Sequence, residues 1–280
     1  FERSGVLTGL IRARCFSQND SHIYCTQEQL KDELINVLKM FKQVYSDFNI
    51  DDYWFRLSLP DFNNKEKFGD IENKKVWLQS AEVARQALQQ SGEKFQEAEG
   101  EAAFYGPKID VQTKNVLGKE DTIATMQIDF YMPEKFDLTF INEKGEKERP
   151  VIIHRAIMGS FDRFFAFLVE KTAGNFPTWL SPVQVMVIPV SEEKFGAYAE
   201  EVKNKLIEAG VRAEVNVSTE SLGKRIREAE KQKIPYMLVV GEKEMEAETV
   251  AVRQRGSKDQ SVIKTDEFVE KIVAEISDKK

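Results

Sequence analysis

Arg12-Ala13-Arg14-Cys15-Phe16-Ser17-Gln18-Asn19-Asp20-Ser21-His22-Ile23-Tyr24-Cys25 is the stretch on which the fold reading turns. Read as an extended strand over 12–25, alternate side chains point to opposite faces. The even positions are Arg12, Arg14, Phe16, Gln18, Asp20 and His22. The odd positions are Ala13, Cys15, Ser17, Asn19, Ser21 and Ile23. One face gathers two guanidiniums, a ring, an amide, a carboxylate and an imidazole. The other is small or apolar. Burying the charged face would be costly unless a ligand or metal answered it. A strand with one solvated face reads similarly from the residues alone.

The residues on either side give this strand its setting. Residues 1–9 read as a loop punctuated by Gly5 and Gly9. Thr26 with Gln29 three residues on forms a capping-box pattern. Leu30, Leu34, Val37, Leu38, Phe41, Val44, Tyr45 and Phe48 then recur at helical spacing, the pattern of a core-facing amphipathic helix. A strand is expected over 53–59, a charged loop over 60–69 and a second helix over 77–90. Gly106-Pro107 reads as a turn into a strand ending at Lys114, with Lys108 at its start beside Tyr105. Another strand over 122–130 carries Gln127 and Asp129. A hairpin through 142–145 is expected to join 138–141 to 151–154. Residues 152–164 read as a strand end, a small-residue turn at Gly159-Ser160 and a helix start. Arg163 in that apolar helix calls for an anionic partner.

Phe176-Pro177-Thr178-Trp179-Leu180-Ser181-Pro182 marks a boundary between domains 1–180 and 181–280. Beyond it, strands at 183–189, 211–217, 236–240 and 248–254 alternate with helices at 192–208, 222–231 and 266–276. That order predicts a mixed, largely parallel sheet flanked by helices.

The bulk numbers narrow the class. With 280 residues and 41% of them apolar, the chain can bury two ordinary cores. The net charge of −7 argues against a general electrostatic nucleic-acid binder and leaves a local basic surface open. No apolar run reaches the length of a membrane span. Two cysteines, Cys15 and Cys25, fit a reducing compartment better than a disulfide framework. Two histidines, His22 and His154, far apart in sequence, are a poor metal signal alone.

Taken together and in order, the motifs add what no single one carries. Phe1-Glu2-Arg3-Ser4-Gly5 followed by residues 10–23 resembles motif 2 of the class II aminoacyl-tRNA synthetases, and Gly159-Ser160-Phe161-Asp162-Arg163-Phe164 resembles motif 3. Within that class, Gln18-Asn19-Asp20-Ser21-His22, Phe104-Tyr105-Gly106-Pro107-Lys108 and His154-Arg155-Ala156-Ile157 are similar to the threonyl-tRNA synthetases. Phe176 to Val185 resembles that family's entry into its anticodon-binding domain. The resemblance implies an α+β class II catalytic domain built on an antiparallel sheet, followed by a smaller α/β anticodon-binding domain with a mixed sheet.

The resemblance also implies roles. Glu2, Arg12, Phe16 and Arg163 would bind ATP, with Phe16 under the adenine, Arg163 over its other face and Arg12 at the terminal phosphate. Arg12, Arg163 and Lys108 would serve catalysis. Gln18, Asp20, Tyr105 and Gln127 would surround the amino acid. His22 and His154 would be two of three protein ligands of one zinc ion per subunit, with Mg2+ accompanying ATP. Glu244, Arg253 and Lys233 would meet anticodon bases of tRNA(Thr). The implied reaction joins L-threonine to ATP and then to tRNA. It takes place in a cytoplasmic enzyme, a homodimer at full length, without membrane or DNA partners.

Physical chemistry supports the metal logic. Threonine differs from isosteric valine by one hydroxyl, which an apolar pocket separates poorly and a site that must coordinate it separates well. Zinc with three protein ligands keeps an open position and can expand to five. Adenylate formation needs positioning and charge neutralisation, and bidentate Arg suits phosphate. The family pattern is incomplete: its motif 2 arginine and the cysteine zinc ligand would lie before Phe1, and neither Cys15 nor Cys25 replaces that ligand. Thr122 stands where many members have Gln, and Thr219, Ser221 and Lys233 depart from common anticodon patterns. The chain alone is therefore expected to fold without aminoacylating, as the C-terminal portion of something longer. A prolyl-, seryl- or glycyl-type ligase and a non-enzymatic synthetase-like paralogue that binds tRNA or amino acid are the alternatives.

Overall fold

The computed structural model describes residues 5–68, 74–257 and 259–279. The chain divides into two compact units, Phe1–Lys171 and Thr172–Lys280. No helix among the described residues is long and apolar enough to cross a membrane.

The first unit is built on a six-stranded sheet. Its strands are β1 (Gln18–Cys25), β2 (Tyr53–Leu59), β3 (Phe95–Glu99), β4 (Lys108–Lys114), β5 (Glu120–Asp129) and β8 (Val151–Ser160), in the order β1-β8-β5-β4-β2-β3. Every pairing is antiparallel except β2 with β3. Two helices, α1 (Leu30–Asp47) and α3 (Lys74–Ser91), cover one face. The capping pair of Thr26 and Gln29 forms as the spacing predicts: Thr26 N–H donates to Gln29 Oε1 at 3.0 Å, and Gln29 N–H to Thr26 Oγ1 at 3.3 Å. Leu30, Leu34, Val37, Leu38, Phe41 and Tyr45 of α1 are buried. Each large apolar side chain so buried contributes about 1.5–3 kcal/mol. Tyr45 also donates its hydroxyl to Ile157 O at 3.1 Å, and burial pushes its phenol well above the ordinary range.

Several sequence expectations change here. The first strand does not begin at Arg12. Thr8 and Arg12 instead exchange backbone hydrogen bonds of 3.1 Å across a tight turn, and the strand starts at Gln18. The reason lies in its neighbour, since β8 ends at Ser160 opposite Gln18 and gives way to the helix α5 (Phe161–Thr172). The last ladder bond, Phe161 N–H to Ser17 O at 2.9 Å, leaves earlier residues no partner strand. Strand and helix join directly, with Gly159 and Ser160 belonging to the strand end rather than to a separate turn. The hairpin also differs: β6 (Phe140–Ile141) pairs with β7 (Lys147–Glu148), not with 151–154. Pro150 lacks an N–H and separates the hairpin from β8, which crosses to the main sheet. Strand β3 and the short helices α2 (Lys65–Phe68) and α4 (Tyr131–Lys135) were not anticipated.

The second unit has a five-stranded mixed sheet. Its strands are β9 (Val185–Pro189), β10 (Ala213–Val215), β11 (Tyr236–Val240), β12 (Thr249–Gln254) and β13 (Gln260–Lys264), in the order β10-β9-β11-β12-β13. The first three are parallel and the last two antiparallel, so the sheet is mixed, as expected, and only half parallel. Helices α6 (Glu192–Glu208) and α9 (Thr265–Ser277) enclose one apolar cluster with Val187, Leu238 and Val252, while α7 (Leu222–Lys231) encloses another with Met186, Ile188 and Met237. The helix α8 (Glu242–Ala247), short and highly charged, and the short strand β13 were missed.

The knuckle around Pro177 is tied into this second unit. Gln184 is fully buried and donates Nε2–H to Thr178 O at 2.9 Å while accepting Arg212 N–H at 2.8 Å. Arg212 in turn donates to Trp179 O at 2.7 Å. Replacing Gln184 with Leu would strand a buried carbonyl and a half-buried N–H. The expected cost is roughly 2–3 kcal/mol, read as faster native-state hydrogen exchange of the β9 and β11 amides with the first unit unaffected.

Candidate functional site

Register determines what the open face of the first sheet displays. His22 lies opposite His154, His154 opposite Gln127, Gln127 opposite Lys108 and Lys108 opposite Ser58. Two residues along, Asp20, Ala156, Thr125, Asp110 and Arg56 make a second row. Nine polar side chains from five strands thus stand on one face, with the small Ala156 leaving room among them. The alternation read for 12–25 holds within β1: Gln18, Asp20 and His22 are exposed, and the odd positions are more buried.

Two cavities adjoin over these rows. One, of about 400 Å³, is lined by Arg12, Phe16, Gln18, Thr125, Gly159 and Arg163, with Thr122 also in its wall. The other, of about 200 Å³, is lined by Gln18, Asp20, Tyr105, Thr125, Gln127 and His154. Gln18, Thr125 and Ala156 belong to both. Phe16 is about half exposed at 54%, a ring face available for stacking.

Local structure places each of these groups. Gly159 has φ +58, and a Cβ there would come within 2.5 Å of Ile123 O, so only glycine lets β8 bend against β5 into α5. Arg163 follows in the first turn of that helix, and its Nε donates to Ile11 O at 3.1 Å. No anionic side-chain partner of Arg163 is found among the described residues, where a backbone carbonyl of the 8–12 turn does the orienting. At Gly106 a Cβ would meet Ile128 O at 1.8 Å, so the Tyr105 turn can lie directly on β5 only with glycine. Tyr105 donates its hydroxyl to Gln127 Oε1. Desolvation, then Asp129 and Asp20, raise its phenol above the usual range and keep that proton in place.

His22 and His154 meet edge to face with ring centroids 4.6 Å apart. His154 Nε2 sits 2.8 Å from Asp129 Oδ2, while Oδ1 of that buried carboxylate takes the N–H groups of Tyr131 and Met132. Paired imidazoles with a carboxylate behind one of them are the donor chemistry of a zinc centre. Among the described residues no third His, Cys, Asp or Glu completes a metal-holding group. Cys25 occupies the opposite face of β1 from His22 and is buried; Cys15 is exposed.

Other candidates fall elsewhere. Glu2 lies outside the described residues. Lys108 does not line either cavity. Its Nζ is held 2.9–3.0 Å from both oxygens of Asp110. In the second unit, Lys233 precedes β11, Arg253 pairs with Met237 near that strand's start, and Glu244 follows its far end. Glu244 accepts Gly241 N–H at 3.0 Å and closes the start of α8, so the three anticodon candidates are not drawn together. Asp110, Thr125 and the role of Asp129 were missed. The Lys-x-Asp spacing at 108–110 was the available signal, since a strand puts both residues on one face.

Comparison with known proteins agrees with this geometry. Residues 1–172 match the tRNA synthetase class II core domain (G, H, P, S and T), and residues 184–275 match the anticodon binding domain. The chain belongs to the class II aminoacyl-tRNA synthetase family. Its relatives there include the threonine–tRNA ligase of Halalkalibacterium halodurans, 48% identical over 98% of this chain and 42% of the relative, and that of Oceanobacillus iheyensis, 46% identical over 100% and 43%. The chain thus spans about two fifths of the length of these curated relatives. Among solved structures, the RNA binding domain of threonyl-tRNA synthetase from Cryptosporidium parvum Iowa II superposes with a TM-score of 0.87 at 33% identity, covering 98% of this chain and 67% of that one. A structure described as threonyl-tRNA synthetase from Aeropyrum pernix gives 0.78 at 28%, covering 99% and 68%.

The two thiols give a direct check on the orientation of β1. Burial, and secondarily Glu33, push Cys25 up to about 11. At pH 8 it stays protonated and unreactive. A thiol reagent at pH 8 is expected to modify Cys15 quickly and Cys25 only after unfolding, as read by peptide mass mapping.

Proposed function

We propose that this chain supplies the nucleotide, amino-acid and anticodon sites of a threonine–tRNA ligase, which forms threonyl-adenylate from L-threonine and ATP and passes the threonyl group to tRNA(Thr). The observation that carries the reading is the pair of adjoining cavities sharing Gln18, Thr125 and Ala156. Arg12, Phe16 and Arg163 line one, and Gln18, Asp20, Tyr105 and Gln127 line the other. A carboxylate bound in the smaller cavity would meet a phosphate bound in the larger at that shared wall, which is what adenylate formation requires.

In this reading Phe16 stacks on adenine and Arg12 and Arg163 neutralise the phosphates, with Mg2+ accompanying ATP. Gln18, Asp20, Tyr105 and Gln127 hold the amino acid. His22 and His154 would hold zinc with a further ligand from outside the described residues, and Asp129 orients His154 for that task. Such an ion supplies a Lewis acid able to take both the amine and the hydroxyl of threonine. Lys108 acts at the pocket's edge from its place on Asp110. Domain 1–180 carries the activation chemistry, and domain 181–280 reads anticodon bases through Glu244, Arg253 and Lys233. The extension to a cytoplasmic homodimer at full length rests on the same family resemblance.

The test is amino-acid-dependent ATP–pyrophosphate exchange by the full-length protein with zinc present. Exchange with threonine is expected to exceed that with valine by about 10⁴-fold in kcat/KM. Phe16→Ala is expected to raise the KM for ATP about tenfold through lost stacking. Absence of threonine-dependent exchange in folded, zinc-loaded protein would replace this reading with that of a non-catalytic paralogue.

A further inference from the structure

Asp110 is fully buried in the middle of β4, outside both cavities. Its carboxylate collects five hydrogen bonds. Oδ1 takes Lys108 Nζ at 3.0 Å and Thr125 Oγ1 at 3.2 Å. Oδ2 takes Lys108 Nζ at 2.9 Å, Arg56 Nη2 at 3.0 Å and Ser58 Oγ at 2.7 Å. Two cations flank this anion, so it is paired despite its burial.

A carboxylate only accepts, and a hydroxyl has a single proton to give. The proton of Thr125 is therefore committed to Asp110. Its lone pairs then accept Gln127 Nε2–H at 3.3 Å. That leaves Gln127 Oε1 as the acceptor for the Tyr105 hydroxyl. Every donor in the series Tyr105, Gln127, Thr125 points back toward Asp110. Tyr105 has spent its proton and can offer the cavity lone pairs only.

We propose that Asp110 is a positioning residue that fixes the direction of this relay, so that the smaller cavity presents Tyr105 and Asp20 together as acceptors to the N–H and O–H donors of an amino acid's amine and hydroxyl groups. The proposal rests on the amino-acid reading of that cavity. Without the anion, the Thr125 hydroxyl is free to turn, the Gln127 amide to flip, and Tyr105 to aim its proton at the N–H groups of the ligand's amine.

The experiment is exchange kinetics on the full-length protein. Threonine-dependent exchange by the unchanged protein is measured first, and its absence overturns the amino-acid reading itself. Given exchange, Asp110→Asn is expected to raise the KM for threonine about tenfold and to change the KM for ATP by less than about twofold, a split that general loosening would not produce. Thr125→Val, which keeps the buried ion pairs, is expected to raise the threonine KM in the same way, and Thr125→Ser to restore it. Should Asp110→Asn fail to fold, the Thr125 pair decides. An unchanged threonine KM in Thr125→Val, or equal rises in both KM values in Asp110→Asn, overturns the proposal.

Discussion

The first unit depends on the antiparallel register of β1, β8, β5 and β4. His22, His154, Gln127 and Lys108 come from four strands spread over more than a hundred residues of sequence, and only the ladder brings them into line. Side chains alternate with a period of two, so a slip of one residue in β8 would turn His154 toward α1 and bring Ile153 to the open face. Register is pinned from the opposite side. Tyr45 reaches Ile157 O, and the buried stripe of α1 accepts only the apolar row. The polar face is thus specified by the apolar face behind it.

Charge on the open face is organised rather than merely tolerated. Asp110 and Asp129 are both buried carboxylates with both oxygens hydrogen-bonded, one by Lys108, Arg56, Ser58 and Thr125, the other by His154 and two backbone N–H groups. Desolvation of either anion is offset by these donors. Each carboxylate also fixes a group that faces a cavity. Structural satisfaction and chemical orientation are here one set of hydrogen bonds.

Much of this was legible in the residues. The face of β1, the capping pair at Thr26 and the apolar period of α1 follow from local rules, and local rules held. The site set was readable because Arg12, Phe16, Asp20, His22 and Arg163 stand in a recognisable order. Short elements were not readable: β3, α4 and α8 are held by neighbours rather than by their own periodicity. The start of β1 depends on where β8 ends, and the true partner of Phe140–Ile141 on Pro150, nine residues beyond Ile141. Asp110 was hidden for a similar reason, since its partners come from three strands.

The direct passage from β8 into α5 makes residues 154–163 intolerant of changes in length. His154 and Arg163 sit on one uninterrupted segment with no loop to absorb an extra residue. One insertion within β8 would reverse the facing of every strand residue on one side of it. One insertion in the first turn of α5 would rotate Arg163 about the helix axis by about 100°. Homologous chains that keep both cavities are therefore expected to differ here by substitution and never by insertion or deletion. Loops such as 142–146, far from these rows, are free to vary in length.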